Sequence, residues 1–499
     1  MGTAKGADLG GDCCADLEER VAELEATTVR KGNRKVNLTI SGQINRTIMY
    51  FNDGSLGRTV AGVENRVDSS RFIFTGDAKI NSRLKAGFEM NVEWAVGATS
   101  DKISNAPGFN AAGVSSVGPN IDGGWGGDGA VLIRTSNWFL EDKDLGRVAV
   151  GRINTGGPVA TIDVGGIGQG AASRKTLISN GLLFRNSATG GLSSYSGTAV
   201  VGACVGCNRM EGIVWESQSL GGLLLRAAWG ENDIYSGSAR WAGEYSGFQL
   251  AAGIGIEKTA GNANFQRDFS GTTGIAAPVA GLIVPATGLA GPGSTANQTI
   301  VGGLTVQSTG QSANTEWAWS LAGKHVASGL FAQGHYQESD FDCAQGKQWC
   351  DKKSNFWLIQ GGIAKNWFGI GETAIYGEYG EGKNGTYFLM SGNPGSPTTS
   401  SAVAPVGDRG HVIGFGINQK VDSAAMELYI AYNRYTLDSV TDSTANFGIK
   451  PAAQSGQVGG VACAAGAGCP SAVNVGGVLN NNGPFQGIDS VIGGARIRF

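Results

Sequence analysis

From Val36 onward, hydrophobic and polar residues alternate with a period of two, the spacing that sends successive side chains to opposite faces of a strand. In the stretch 83–94 the odd positions are Arg83, Lys85, Gly87, Glu89, Asn91 and Glu93, and the even ones Leu84, Ala86, Phe88, Met90, Val92 and Trp94. One face is polar throughout, and the other is apolar. The same split appears in Asn37/Thr39/Ser41/Gln43 against Leu38/Ile40/Ile44, and in Phe248/Leu250/Ala252/Ile254/Ile256 against Gln249/Ala251/Gly253/Glu257. Sixteen segments carry the pattern: 36–51, 66–80, 82–96, 129–141, 145–153, 209–218, 222–231, 236–245, 247–258, 314–327, 329–340, 354–366, 370–380, 408–420, 423–436 and 486–499. Before them, Leu17, Val21, Leu24 and Thr28 fall at heptad spacing, which predicts a short amphipathic helix over 15–29.

The connectors between these segments alternate in length. Residues 81, 142–144, 219–221, 246, 328, 367–369 and 421–422 form tight links, whereas 52–65, 97–128, 154–208, 259–313, 381–407 and 437–485 are long and rich in Gly, Ala, Ser, Thr and Pro. A soluble sandwich meets water at both ends and has no reason to sort its links this way. A membrane barrel has short turns on one side and long loops on the other. Within lipid every backbone N–H and C=O must pair inside the protein, so a sheet there has to close on itself. Sixteen strands enclose water where eight would be filled by side chains. The expected fold class is therefore all-β, a 16-stranded antiparallel transmembrane barrel over 36–499, preceded by a periplasmic segment 1–35. Trp94, Trp138, Trp229, Trp241, Tyr245, Trp317, Trp367 and Tyr432, near predicted strand ends, suit interfacial girdles.

Composition supports this reading. Gly accounts for 83 of 499 residues, far above ordinary usage, yet the aromatic clusters exclude a disordered chain. No run of 18 apolar residues exists, which excludes spanning helices. Lys and Arg total 38 and Asp and Glu 41, with no basic block, so nucleic acid is not an expected partner. The eight cysteines fall in local pairs, Cys13 with Cys14, Cys204 with Cys207, Cys343 with Cys350 and Cys463 with Cys469, which suggests an oxidising compartment. The last three pairs read as disulfide staples within loops. Cys204-Val-Gly-Cys207 also has the spacing of a redox or zinc half-site, but lacks a helix start and a second Cys/His pair nearby. Adjacent Cys13 and Cys14 would form a strained bridge, leaving a link between subunits or free thiols. The start, Met1-Gly-Thr-Ala-Lys5, has no apolar stretch of a secretory signal, so an exported chain is expected here in mature form.

The final residues Ser490-Val-Ile-Gly-Gly-Ala-Arg-Ile-Arg-Phe499 end in an aromatic with apolar residues at alternate positions before it. This resembles the C-terminal assembly signal of bacterial outer-membrane barrels, with Phe499 as its terminal aromatic. Gly11-Asp-Cys-Cys-Ala-Asp-Leu-Glu-Glu-Arg-Val-Ala-Glu-Leu-Glu-Ala26, Arg30-Lys-Gly-Asn-Arg-Lys-Val36, Ser41-Gly-Gln-Ile-Asn45, Val150-Gly-Arg152, Asn208-Arg-Met-Glu-Gly212 and Ala227-Ala-Trp-Gly-Glu231 follow in the order seen in alphaproteobacterial general-diffusion porins. The resemblance implies an outer-membrane homotrimer of 16-stranded barrels that passes small hydrophilic solutes and ions. Lipopolysaccharide, outer-membrane lipid and the barrel-assembly machinery are the expected partners. It also implies a third loop folded inward, whose acidic residues face a basic cluster on the wall. In this chain that loop is 154–208 and Asp163 is its one acid, a departure from the family pattern.

Parity assigns Arg71, Lys79, Arg83, Lys85, Arg147, Arg226, Arg240, Lys324, Arg496 and Arg498 to the lumen, with Asp77, Glu89, Glu93, Glu244, Glu257, Glu316, Glu372, Glu378 and Glu427. A charge facing lipid costs roughly 2–4 kcal/mol at the midplane, so this register is the cheaper one. Arg71, Arg83, Lys85, Arg147, Arg226, Arg240, Arg496, Arg498 and Asp163 are the expected constriction, centred on Arg83, Lys85 and Arg147. Arg46, Arg134 and Arg152 depend on whether a bulge or subunit contact re-aims them. No catalytic, metal or cofactor site is expected. Gly369-Ile-Gly-Glu-Thr-Ala374 fits a dinucleotide fingerprint by letter but runs into a strand. Gly-x-Ser-x-Gly and His-Glu-x-x-His are absent, and His335 has no serine partner in local reach. The competing readings are a substrate-specific uptake channel, marked by a line of lumenal aromatics, and an envelope tether bound to peptidoglycan through the N-terminal segment.

Overall fold

The computed structural model describes residues 36–94, 99–101, 103, 105, 131–156, 159, 162–170, 182–201, 209–231, 234–259, 298–301, 304–307, 314–341, 352–384, 409–438 and 484–499. The predicted helix over 15–29 lies outside the described residues. So do all the cysteines: the expected loop staples Cys204 with Cys207, Cys343 with Cys350, and Cys463 with Cys469, as well as Cys13 and Cys14.

Sixteen strands form the barrel: β1 Asn37–Asn52, β2 Arg71–Lys79, β3 Leu84–Trp94, β4 Val131–Asp142, β5 Gly146–Asn154, β6 Arg209–Glu216, β7 Leu223–Gly230, β8 Ile234–Tyr245, β9 Phe248–Thr259, β10 Asn314–His325, β11 Leu330–Phe341, β12 Lys352–Lys365, β13 Thr373–Lys383, β14 Arg409–Val421, β15 Met426–Leu437 and β16 Ile488–Arg498. Each pairs antiparallel with the next, and β16 returns to β1 from Gln43↔Arg498 to Asn52↔Asp489, closing the sheet. At this seam Gly42 and Phe499 exchange backbone hydrogen bonds of 2.9 and 3.1 Å, and the Phe499 ring lies 5.5 Å from that of Phe72. A Cβ on residue 42 would stand 2.6 Å from the Phe499 ring, so the last side chain needs a glycine opposite it. The links on one side run from Ser246 and Gly247 to residues 366–372, and those on the other are longer except at 231–233, between β7 and β8.

Predicted strand ends agree within three residues except at 66–80, which begins only at Arg71, while the predicted connector 52–65 carries a strand of its own. A strand over Gly57–Glu64 pairs with the upper half of β1, and β2 begins at Arg71 beside the lower half. Between them residues 65–70 leave the wall. Asn65, Asp68, Ser69 and Ser70 are turn formers, and their side chains bond groups that a strand would not offer.

Outward faces carry Leu38, Ile40, Ile44, Ile48, Trp138, Trp229, Ile254, Leu321, Ile359, Phe415 and Ile430, all exposed. Such a continuous apolar surface has no partner in water. The inward faces carry more apolar side chains than the few, Phe331 and Tyr376 among them, that parity places in the lumen. Met49, Phe51, Phe331, Phe356, Leu358, Tyr376, Val412, Tyr435, Ile488 and Ile492 point in and form one core with Ile167, Leu182, Phe184, Tyr195, Val200 and Val201 of the third loop. The described part of the loop therefore packs its side chains against the inner face of β10–β16. Short strands Leu183–Asn186, Leu192–Ser196 and Phe485–Gln486 make a small sheet that ties it to the approach to β16.

Candidate solute pathway

The third loop's inner turn is organised by Asp163. Its Oδ1 accepts from the N–H groups of Gly165 and Gly166 at 3.1 and 2.8 Å, and its Oδ2 from Ile167 and Gly168, both at 2.9 Å. Gly166 has φ +69°, the left-handed conformation that brings these donors together. The turn is held at four places on the wall and one on the excursion 65–70. Val164 N–H donates to Gln333 Oε1 at 3.1 Å, and Asn45 Nδ2 to Gln169 Oε1 at 2.8 Å. Asn65 donates to Gln169 O, Asn418 to Gly166 O and Asn433 to Gly170 O.

Opposite the turn stands the excursion 65–70. Arg66 and Arg134 both bind the buried Glu93 carboxylate, which also accepts from Ser69 Oγ at 2.6 Å. Arg134 reaches inward because the β3–β4 register slips beside it, so the bulge decides its side. Arg71 and Arg496 share Asp68, and Arg496 also binds Glu427, with Arg498 3.8 Å from that carboxylate. Between excursion, turn and wall lies a cavity of about 530 Å³, bordered by Asp68, Asp163, Lys420, Glu427, Arg496 and Arg498.

The expected constriction residues thus separate into groups. Asp163, Arg496 and Arg498 border this cavity, and Arg71 joins them through Asp68. Lys85, Arg147 and Arg226 lie on the opposite wall: Lys85 is 3.0 Å from Glu141, Arg226 is 3.7 Å from Glu216, and Arg147 is 3.7 Å from Glu89 and stacks 3.8 Å over Phe139. Arg240 is half-buried on β8, opposite Gly253. Arg83 belongs to neither group. It sits in the turn 80–83, 53% exposed, and binds Asp142 at 2.9 Å and Asp144 at 3.2 Å, which makes it a rim residue and corrects its expected place in the narrow zone. Asp163 also differs from the expectation of an acid free to oppose arginines, because its own loop's N–H groups occupy both oxygens. Arg46 shares the outward face with Ile44 and Ile48 and pairs with Glu64 at 3.1 Å, while Arg152 pairs with Glu211 at 3.5 Å.

Arg66, Asp68, Glu141, Glu216 and Lys420 were not singled out from sequence. The break in alternation at Asn65-Arg-Val-Asp-Ser-Ser70 was the one available signal for the first two. His335 does have a serine partner. Ser320, opposite it on β10, lies with Oγ 2.9 Å from Nδ1, and Nε2 is 3.3 Å from Gln337 Oε1. The group is buried, and Gln337 donates to Val201 O at 2.9 Å, so it anchors the loop. The inward aromatics Phe331 and Tyr376 are covered by the loop and form no exposed slide.

No family model matches this chain, and no curated protein matches it. Solved structures with a similar outline include an anion-selective porin from Comamonas acidovorans (14% identity, TM-score 0.47, 93% of this chain and 100% of that one). An OmpT outer membrane protein of Vibrio cholerae matches at 10% identity and TM-score 0.45, over 93% and 100% of the two chains. Salmonella typhi OmpF matches at 12% and 0.42, over 93% and 98%. These likenesses are distant, and what the barrel does is read from its own wall.

Proposed function

We propose that the chain is an outer-membrane porin, a barrel through which small hydrophilic solutes and ions diffuse passively. The carrying observation is the opposition of its two faces: a predominantly apolar exterior and, along β2–β9, an interior of partly exposed charges including Lys85, Glu89, Glu141, Arg147, Glu216 and Arg226. Hydrocarbon accepts the first face and water the second. The loop packed along β10–β16 confines the wet path to the opposite wall. No covalent step is called for. Self-association as a homotrimer fits Arg46, a charge on the outer face between Ile44 and Ile48, better placed against another subunit than in lipid. Contacts with lipopolysaccharide and the assembly machinery belong to the same reading.

The full chain, folded in detergent and added to planar bilayers, is expected to give discrete, salt-dependent conductance steps, and its vesicles to swell in small sugars. A chain that stays soluble without detergent, or inserts without conducting, would overturn the proposal.

A further inference from the structure

The inner wall carries a row of charges whose sign changes at every strand. Lys85 on β3 stands opposite Glu141 on β4, Glu141 opposite Arg147 on β5, Arg147 opposite Glu216 on β6, and Glu216 opposite Arg226 on β7. Their side chains are 43, 28, 31, 37 and 18% exposed in that order, so each one meets the lumen. A second row, Arg496, Glu427, Lys420, Glu372 and Lys324, repeats the same order of signs on the far wall. Its two end members, Arg496 and Lys324, are only 7 and 9% exposed beneath the third loop. Glu427 is 11% exposed, so the second row reaches water chiefly at Lys420 and Glu372, 42 and 25% exposed, whereas the first is open along its whole length.

Charges that alternate on neighbouring strands repeat every two strand spacings, about 10 Å. At a distance comparable to that repeat each charge is offset by its neighbours, so an ion passing along the middle of the path feels little field. Cations are left over at both ends. Lys79 stands opposite Lys85, and past Arg226 the strand β8 adds Arg240, one register step from the partner of Arg226.

We propose that Glu141 and Glu216 are specificity-determining residues of this pathway. They mask the cations of the row, which with Lys79 and Arg240 would otherwise be strongly positive, and keep it nearly indifferent between anions and cations. The inference rests on the diffusion-channel reading above. It differs from a field set between loop and wall, because Asp163 is already engaged by its own loop and the compensation runs along the sheet.

The test uses reversal potentials of the full chain in planar bilayers under a KCl gradient. Glu141→Gln with Glu216→Gln keeps side-chain volume while unmasking two charges. A unit charge roughly 7 Å from the ion path in water changes ion partition about threefold, so the chloride-to-potassium permeability ratio should rise at least that much near 0.1 M salt. The rise should shrink at 1 M, where the screening length is about 3 Å. Adding Lys85→Gln and Arg147→Gln to the pair should reverse it. Should the double variant fail to assemble, each single substitution carries a smaller shift in the same direction. Unchanged reversal potential in variants that conduct normally overturns this inference. Absence of conductance in the unaltered chain overturns the channel reading instead.

Discussion

Glu93 is 2% exposed and lies between two guanidiniums, Arg66 and Arg134, with the Ser69 hydroxyl as a third donor. Removing its charge leaves two cations facing each other in a site with little water, which for a broken buried pair costs about 3–5 kcal/mol. Glu93→Gln should therefore lower the unfolding midpoint in detergent markedly, whereas Glu244→Gln, exposed on β8, should leave it within experimental scatter. Glu93 was legible as an inward acid from parity alone. Its partners were not, because Arg66 sits in an excursion and Arg134 at a bulge, and both features break the period-two rule that would have placed them. Asp163 was legible as the loop's one acid, but nothing in its neighbours Val164-Gly-Gly-Ile-Gly168 told that four N–H groups would fold back onto it.

The loops join in a knot around Asp53. Its carboxylate accepts from Arg185 at 2.7 Å, from Asn105 at 2.6 Å and from the N–H groups of Ser55 and Leu56 at 3.0 and 2.7 Å, so three separate loops meet on one side chain. Burial works to raise its pKa, but Arg185 and the backbone donors outweigh that and hold it below the ordinary 3.8. A carboxylate depressed in the folded state stabilises it fully above its unfolded value, and that contribution is lost as pH falls through the folded one. The knot should hold at pH 7 and loosen below about pH 4, read as faster proteolysis of the loops or altered conductance noise. Asp53→Asn should show the loosened behaviour at neutral pH and lose the acid transition. Unchanged protease sensitivity of that variant would remove Asp53 from this role. The pairings with Asn105 and Arg185 have no sequence signature, since they join positions more than fifty residues apart through chain with no periodic pattern.

For the barrel as a whole, the charged wall along β3–β7 makes a prediction about ions. Reversing Lys85 and Arg147 to Glu should move single-channel preference toward cations, while reversing Arg83 alone should not, because Arg83 lies at the rim among Asp142 and Asp144. Equal shifts from the two changes would argue against the separation of rim and wall. Alternation of oily and polar residues, with tight and long links in turn, was enough to determine sixteen strands, their inward and outward faces and a closed sheet. Those follow from the local geometry of a strand and the demand that every backbone group be paired. Which side of the lumen the third loop packs against, where the second strand begins, and which charges face water rather than each other were decided only by tertiary structure. They depend on contacts between distant segments, where apolar side chains such as Tyr195, Phe356 and Tyr435 pack together in space that strand parity alone assigns to the lumen.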